Sequence, residues 1–173
     1  MEGIVNRVAQ SGLVIIDLEE WYLAGERTAY DISPLLIEGL LLKEQDFRAH
    51  INAFDWSVYS GKHVALYCST GAIIPQWAWM LLAAALQPYA QTVVYGNLET
   101  LETLLFSRMI DRLDVEQYRN RRVVIKGCSH RPVPLQAYVA LTTMLKPLVK
   151  SILYGEPCST VPVYKAGAGE TPA

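Results

Sequence analysis

The chain carries little charge for its length: Asp, Glu, Lys and Arg make up 18% of its 173 residues, against a usual value of about a quarter. The formal net charge is −2 and the basic residues are scattered, so the electrostatic footprint of a nucleic-acid-binding protein is missing. There are only three cysteines and no Cys-x-x-Cys pair, which argues against a disulfide framework and against thioredoxin-type exchange. Gly-x-Gly-x-x-Gly and Gly-Lys-Ser/Thr are absent, disfavouring dinucleotide and nucleotide enzymes. No basic segment followed by an apolar one opens the sequence, so a cytoplasmic protein without a secretory signal is expected. The most apolar run, Trp77–Leu86, is bounded by Gln and Pro. It is shorter than the roughly 20 residues of a membrane span and reads as a buried core helix.

What the chain has in excess is apolar surface. The hydrophobic set reaches 51%, more than one small core hides, so a homo-oligomer or a partner face is expected. The length suits a single α/β domain over residues 1–165, with residues 166–173 expected to be disordered. An N-terminal strand is read at Leu13–Ile16. Trp21–Tyr30 reads as an excursion containing a Gly-Glu turn, followed by a helix start at Ser33-Pro34, where Ser33 suits a cap and Pro34 the first helical position. Short amphipathic segments follow over Leu35–Leu40 and Glu44–Phe54.

From His63 the pattern becomes regular. Strands are read at Val64–Tyr67, Thr92–Tyr95, Val123–Lys126 and Ser151–Tyr154, separated by helices at Pro75–Leu86, Leu98–Ile110 and Pro134–Leu145. Nearly continuous apolar strands alternating with helices predict a three-layer α/β/α sandwich with a mostly parallel sheet, plus the N-terminal strand and helical excursion. The regular spacing resembles a repeat, but the minimum length of a right-handed crossover explains it.

The feature that speaks of chemistry is where the cysteines fall. Cys68, Cys128 and Cys158 each follow a strand-like run and each precede serine. In the common doubly wound order the first, third and fourth strands of the His63–Tyr154 series become neighbours, which would bring the three thiols to one edge. Three thiolates would then hold zinc or an iron–sulfur cluster and leave one position open. His130, Asp17 and Glu156 are candidates for a fourth ligand. His63 is too far along its strand to reach Cys68, and His50 has no evident partner.

Two other readings stay open. The thiols can simply be buried packing residues in a metal-free interaction domain, since free cysteine is among the most buried residue types. Alternatively, Cys68 before a Ser-Thr-Gly turn and a helix can be the nucleophile of a thiol-dependent enzyme. A phosphatase loop is not present, because no arginine follows any of the three cysteines at the required distance.

The opening Gly3-Ile-Val-Asn-Arg-Val-Ala with Ser11-Gly-Leu, the Cys68 segment through Pro75-Gln-Trp-Ala, Ala85-Leu-Gln-Pro-Tyr-Ala90, Val124-Ile-Lys-Gly-Cys128 and Tyr154-Gly-Glu-Pro-Cys-Ser-Thr-Val-Pro-Val-Tyr-Lys165 together resemble domain of unknown function 2480, a bacterial family. The resemblance covers almost the whole chain and brings no established activity. It implies a setting beside SUF-type iron–sulfur assembly genes, and so iron–sulfur assembly proteins as partners.

Overall fold

A computed structural model describes residues 12–127 and 130–167. The α/β class expected from the alternation is observed, with strands β1 (Leu13–Asp17), β2 (Arg27–Asp31), β3 (His63–Tyr67), β4 (Thr92–Tyr95), β5 (Arg122–Lys126), β6 (Ser151–Glu156) and β7 (Ser159–Lys165). The helices are α1 (Glu44–Ala53), α2 (Gln76–Leu86), α3 (Leu98–Ile110) and α4 (Leu135–Leu145). The chain divides into two compact units. An inserted unit comprises Ala24–Glu102, and a split unit comprises Met1–Leu23 with Thr103–Ala173.

Each unit has its own sheet and core. In the inserted unit the order is β2-β3-β4, all parallel, with Arg27 opposite His63 and Asp31 opposite Tyr67. In the split unit the order is β1-β5-β6-β7; β1, β5 and β6 are parallel, Leu13 faces Arg122 and Asp17 faces Lys126, and β7 returns antiparallel along β6. Central strands β3 and β5 are apolar and buried on both faces, as parallel strands under helices must be. Val64, Leu66, Leu82 and Leu86 anchor one core; Val123, Ile125, Leu141 and Leu145 anchor the other.

The two units repeat one another, which corrects the reading of the spacing as mere crossover length. A shift of 59 positions, as from His63 to Arg122 at the starts of β3 and β5, carries β3, α2 and β4 onto β5, α4 and β6. Pro75 and Pro134 both precede a helix; Ala78, Leu82 and Leu86 are buried where Ala137, Leu141 and Leu145 are buried. Asp55 and Asp114 both accept a hydrogen bond from the amide two residues on, each opening a 3-10 turn. Gly61 at φ 71° is matched by Asn120 at φ 60°, a left-handed position that glycine and asparagine tolerate best. Their amides donate to the carbonyls of Tyr89 and Leu148, which are again 59 apart. A minimum crossover length would not reproduce individual caps, turns and buried leucines at one constant spacing.

Two local readings also change. β2 replaces part of the expected excursion; its sequence Arg-Thr-Ala-Tyr-Asp lacks an apolar run because it is a sheet edge. Ser33-Pro34 opens only a 3-10 turn, Ser33–Leu35, whose N-cap is Ile32 and not Ser33; the Asp31 carboxylate accepts from the Ser33 amide at 2.9 Å. Beyond it Glu38 and Gly39 take positive φ and Ile37 bridges Leu41, so Leu35–Leu40 turns back on itself instead of winding into a helix.

Candidate functional site

The strand order undoes the argument that drew the cysteines together. β3, which Cys68 follows, is bonded to β2 and β4, whereas β5 is bonded to β1 and β6. Cys68 lies in the inserted unit, half-exposed, with its Sγ 3.3 Å from Thr70 Oγ1. Cys158 lies in the split unit, exposed in the Pro157-Cys158 turn of the β6–β7 hairpin. Cys128 is outside the described residues. Among the described residues no three His, Cys, Asp or Glu side chains gather as a metal would need.

The candidate fourth ligands have other partners. Lys126 Nζ sits 2.8 Å from Asp17 and 4.0 Å from Glu156, so one ammonium on β5 serves carboxylates from both neighbouring strands. The hydrogen bond to Asp17 holds the Lys126 ammonium above its ordinary range. Asp17 also accepts from the Glu19 amide at 3.0 Å. Glu19 in turn accepts from the His130 backbone N–H, and the His130 residue is exposed. His63 is buried at the start of β3 with Nε2 2.9 Å from the Ala24 carbonyl oxygen, and His50 meets the Tyr30 hydroxyl at 2.8 Å.

At the equivalent edge of the inserted unit the sequence reading missed a hydroxyl network. Asp31 accepts from the Ser33 amide, the Ser33 hydroxyl and the Ser69 amide, and the two serine hydroxyls lie 2.8 Å apart. Burial works against the ionised form, but hydrogen bonds from Ser69 and Ser33 outweigh it and bring the Asp31 pKa down to about 2 from 3.8. A depressed carboxyl pKa stabilises the fold above the unfolded value, and this contribution is lost as pH falls through the folded value. Asp31→Asn is therefore expected to cost about 1 kcal/mol at neutral pH, after allowance for solvent screening. The difference from the parent protein should close as pH falls from about 4 to about 2, which denaturant melts across that range would read.

The larger feature is in the split unit, where α4, β6 and β7 enclose an apolar groove of about 570 Å³. It is lined by Ile125 and Ile152 and by Tyr138 and Tyr154, whose rings meet edge to face with centroids 5.8 Å apart. Val139 and Val163 face it from α4 and β7. The helix is placed by Pro134 at its N-cap and by Ala137, Leu141 and Leu145 buried against the sheet, which turns Leu135 and Val139 outward. They are 81% and 60% exposed, so apolar side chains stand in water at the groove's rim. The hairpin that forms the far wall depends on Gly155: at φ 118° an added Cβ would come within 2.7 Å of the Ser159 carbonyl oxygen, closer than the backbone allows. A smaller recess of about 360 Å³ in the inserted unit lies beside Tyr67, Ala29 and the start of α3.

The groove was not legible in the sequence, because one wall, Val163, comes from β7, whose antiparallel pairing with β6 no local pattern states. No helix among the described residues is long and apolar enough to cross a membrane. Neither the curated proteins nor the solved structures contain a match to the chain. The model of the family described as Protein of unknown function (DUF2480) matches residues 2–166, and the chain belongs to that family.

Proposed function

We propose that the protein is a binding protein that takes an apolar small molecule in the groove between α4 and the β6–β7 hairpin. The observation that carries this reading is a concave, almost wholly apolar site of about 570 Å³, within the range of small-molecule pockets. The Tyr138–Tyr154 edge-to-face pair and the exposed Leu135 and Val139 give a ligand apolar surface to cover. The inserted unit supplies an internal control. Its equivalent aromatic pair, Trp79 and Tyr95, also meets edge to face, at 5.0 Å, yet among the described residues no β7 counterpart pairs with β4.

N-phenyl-1-naphthylamine, a neutral fluorescent probe, tests this directly. One probe per chain should bind with a blue shift, and Val139→Asp should weaken binding about tenfold or more by placing a carboxylate at the groove. Met80→Asp, 59 positions earlier on α2, should leave it unchanged. No stoichiometric binding, or loss with Met80→Asp and not with Val139→Asp, would end this reading.

A second reading keeps the thiols. β5 and β6 are parallel neighbours with Ile125 opposite Tyr154, so the strand preceding Cys128 and the hairpin holding Cys158 leave the same edge of one sheet. This favours a site in which Cys128 and Cys158 supply thiolates to zinc or an iron–sulfur cluster, with iron–sulfur assembly proteins as partners. Metal and sulfide analysis of protein purified without oxygen tests it. Zinc or iron that disappears in Cys128→Ser supports the site; neither metal in the parent protein rejects it.

A further inference from the structure

The repeat shows what the inserted unit lacks. β4 stands 59 positions before β6, Thr92 matching Ser151 and Tyr95 matching Tyr154. Beyond β6 the split unit adds an antiparallel strand, β7, which reaches from Ser159 opposite Glu156 to Lys165 opposite Ser151. Beyond β4 the sheet ends, and no strand among the described residues pairs with its outer edge. Exposure reports the difference: Tyr154 is 41% exposed, whereas Tyr95 is 68% exposed. From these equivalent edges we infer that β4 is a pairing edge, and that its occupant is β4 of a second copy of this chain, running antiparallel as β7 does along β6.

Charge selects a second copy through this strand. A free sheet edge invites uncontrolled pairing, and proteins guard such edges with charges, proline or a covering element. The other three edges are guarded: β1 ends in Asp17, β2 carries Arg27 and Asp31, and β7 carries Pro162 and Lys165. β4 is Thr-Val-Val-Tyr, with neither charge nor proline. An isologous contact places each strand against itself in reverse. With the two-fold axis at Val94, each Val94 faces Val94 of the other copy and each Tyr95 faces Val93, so no like charges oppose one another. The same operation on β2 or β7 would bring Arg27, or Lys165 and the amide-less Pro162, into the new ladder.

Sedimentation of the full chain at about 50 μM should show a dimer that dissociates on dilution. Tyr95→Lys should raise the dissociation constant about tenfold or more by adding an ammonium to each copy at the shared edge, while Val161→Lys on β7 should not. Far-UV circular dichroism and the melting midpoint, extrapolated to low protein concentration, separate loss of pairing from loss of folding. A parent protein that is monomeric at that concentration overturns the inference, as does a dimer unaffected by a folded Tyr95→Lys or broken instead by Val161→Lys. Probe binding in the β6–β7 groove is read on the same samples and is independent of either outcome.

Discussion

Glu102→Ala is expected to destabilise the inserted unit by about 3–5 kcal/mol, the range found when one partner of a buried ion pair is removed. Arg27 on β2 meets Glu102 on α3 through two parallel bonds, Nε to Oε2 at 2.9 Å and Nη2 to Oε1 at 3.1 Å. Both side chains are nearly buried, at 10% and 12% exposure. Arg27 Nη1 also donates to the Gly25 carbonyl at 2.7 Å, so the guanidinium is held in place when the carboxylate is gone. The loss therefore reflects a cation kept out of water more than the attraction it once enjoyed. Glu102→Gln should cost less, since one amide oxygen can still accept from Arg27. Chemical denaturation of the three proteins at constant m-value gives the comparison. A deficit below about 1 kcal/mol for Glu102→Ala would mean that the pair behaves as a surface one.

Leu82→Ala and Leu141→Ala should each cost about 2–5 kcal/mol, from lost transfer energy and the cavity left behind. Both leucines are fully buried, on α2 and α4, and both stand four residues after a buried alanine and four before a buried leucine. Their equivalence makes the pair informative beyond either number. Each should weaken the unit that contains it, Leu82 the inserted unit and Leu141 the split unit. Hydrogen exchange resolves where the protection is lost: in the β2-β3-β4 sheet for one variant and in the β1-β5-β6-β7 sheet for the other. If the two units unfold as one cooperative body, both variants will lower protection uniformly across both sheets.

The pH response of Asp31 joins these as a test of the edge the cysteine argument overlooked. Asp17 and Asp31 end the two first strands, β1 and β2, and both accept an amide hydrogen bond from the residue two positions on. Around that shared geometry the two units differ in charge. Asp17 is paired with Lys126 on β5, whereas Asp31, opposite Tyr67 on β3, is held by the serines Ser33 and Ser69. Two copies of one scaffold have thus acquired an ionic edge and a hydroxyl edge.

Local pattern was enough to place most elements. Thr92–Tyr95 and Leu98–Ile110 occupy the bounds read from the sequence, because an uninterrupted apolar run and helical spacing after Asn97 report burial that any neighbour would satisfy. The Pro-Ala-Leu-Leu-Pro-Tyr-Gly series at 75, 78, 82, 86, 88, 95 and 96 recurs at 134, 137, 141, 145, 147, 154 and 155, so the repeat was legible in the chain although crossover length accounted for it less well. Partnership was not legible. A buried strand such as β3 or β5 is apolar whichever strand lies beside it, so nothing in His63–Tyr67 states that its neighbours are β2 and β4. β2 itself was hidden because its Arg27 becomes tolerable in the interior only through Glu102, 75 residues later. The sequence by itself determined the class, the helices, the central strands and the family. Tertiary structure alone decided that the strands form two sheets, that Cys68 and Cys158 belong to different units, and that β7 folds back to enclose a groove. Those choices rest on pairings between segments distant in sequence, whose energies appear only when both partners are in place.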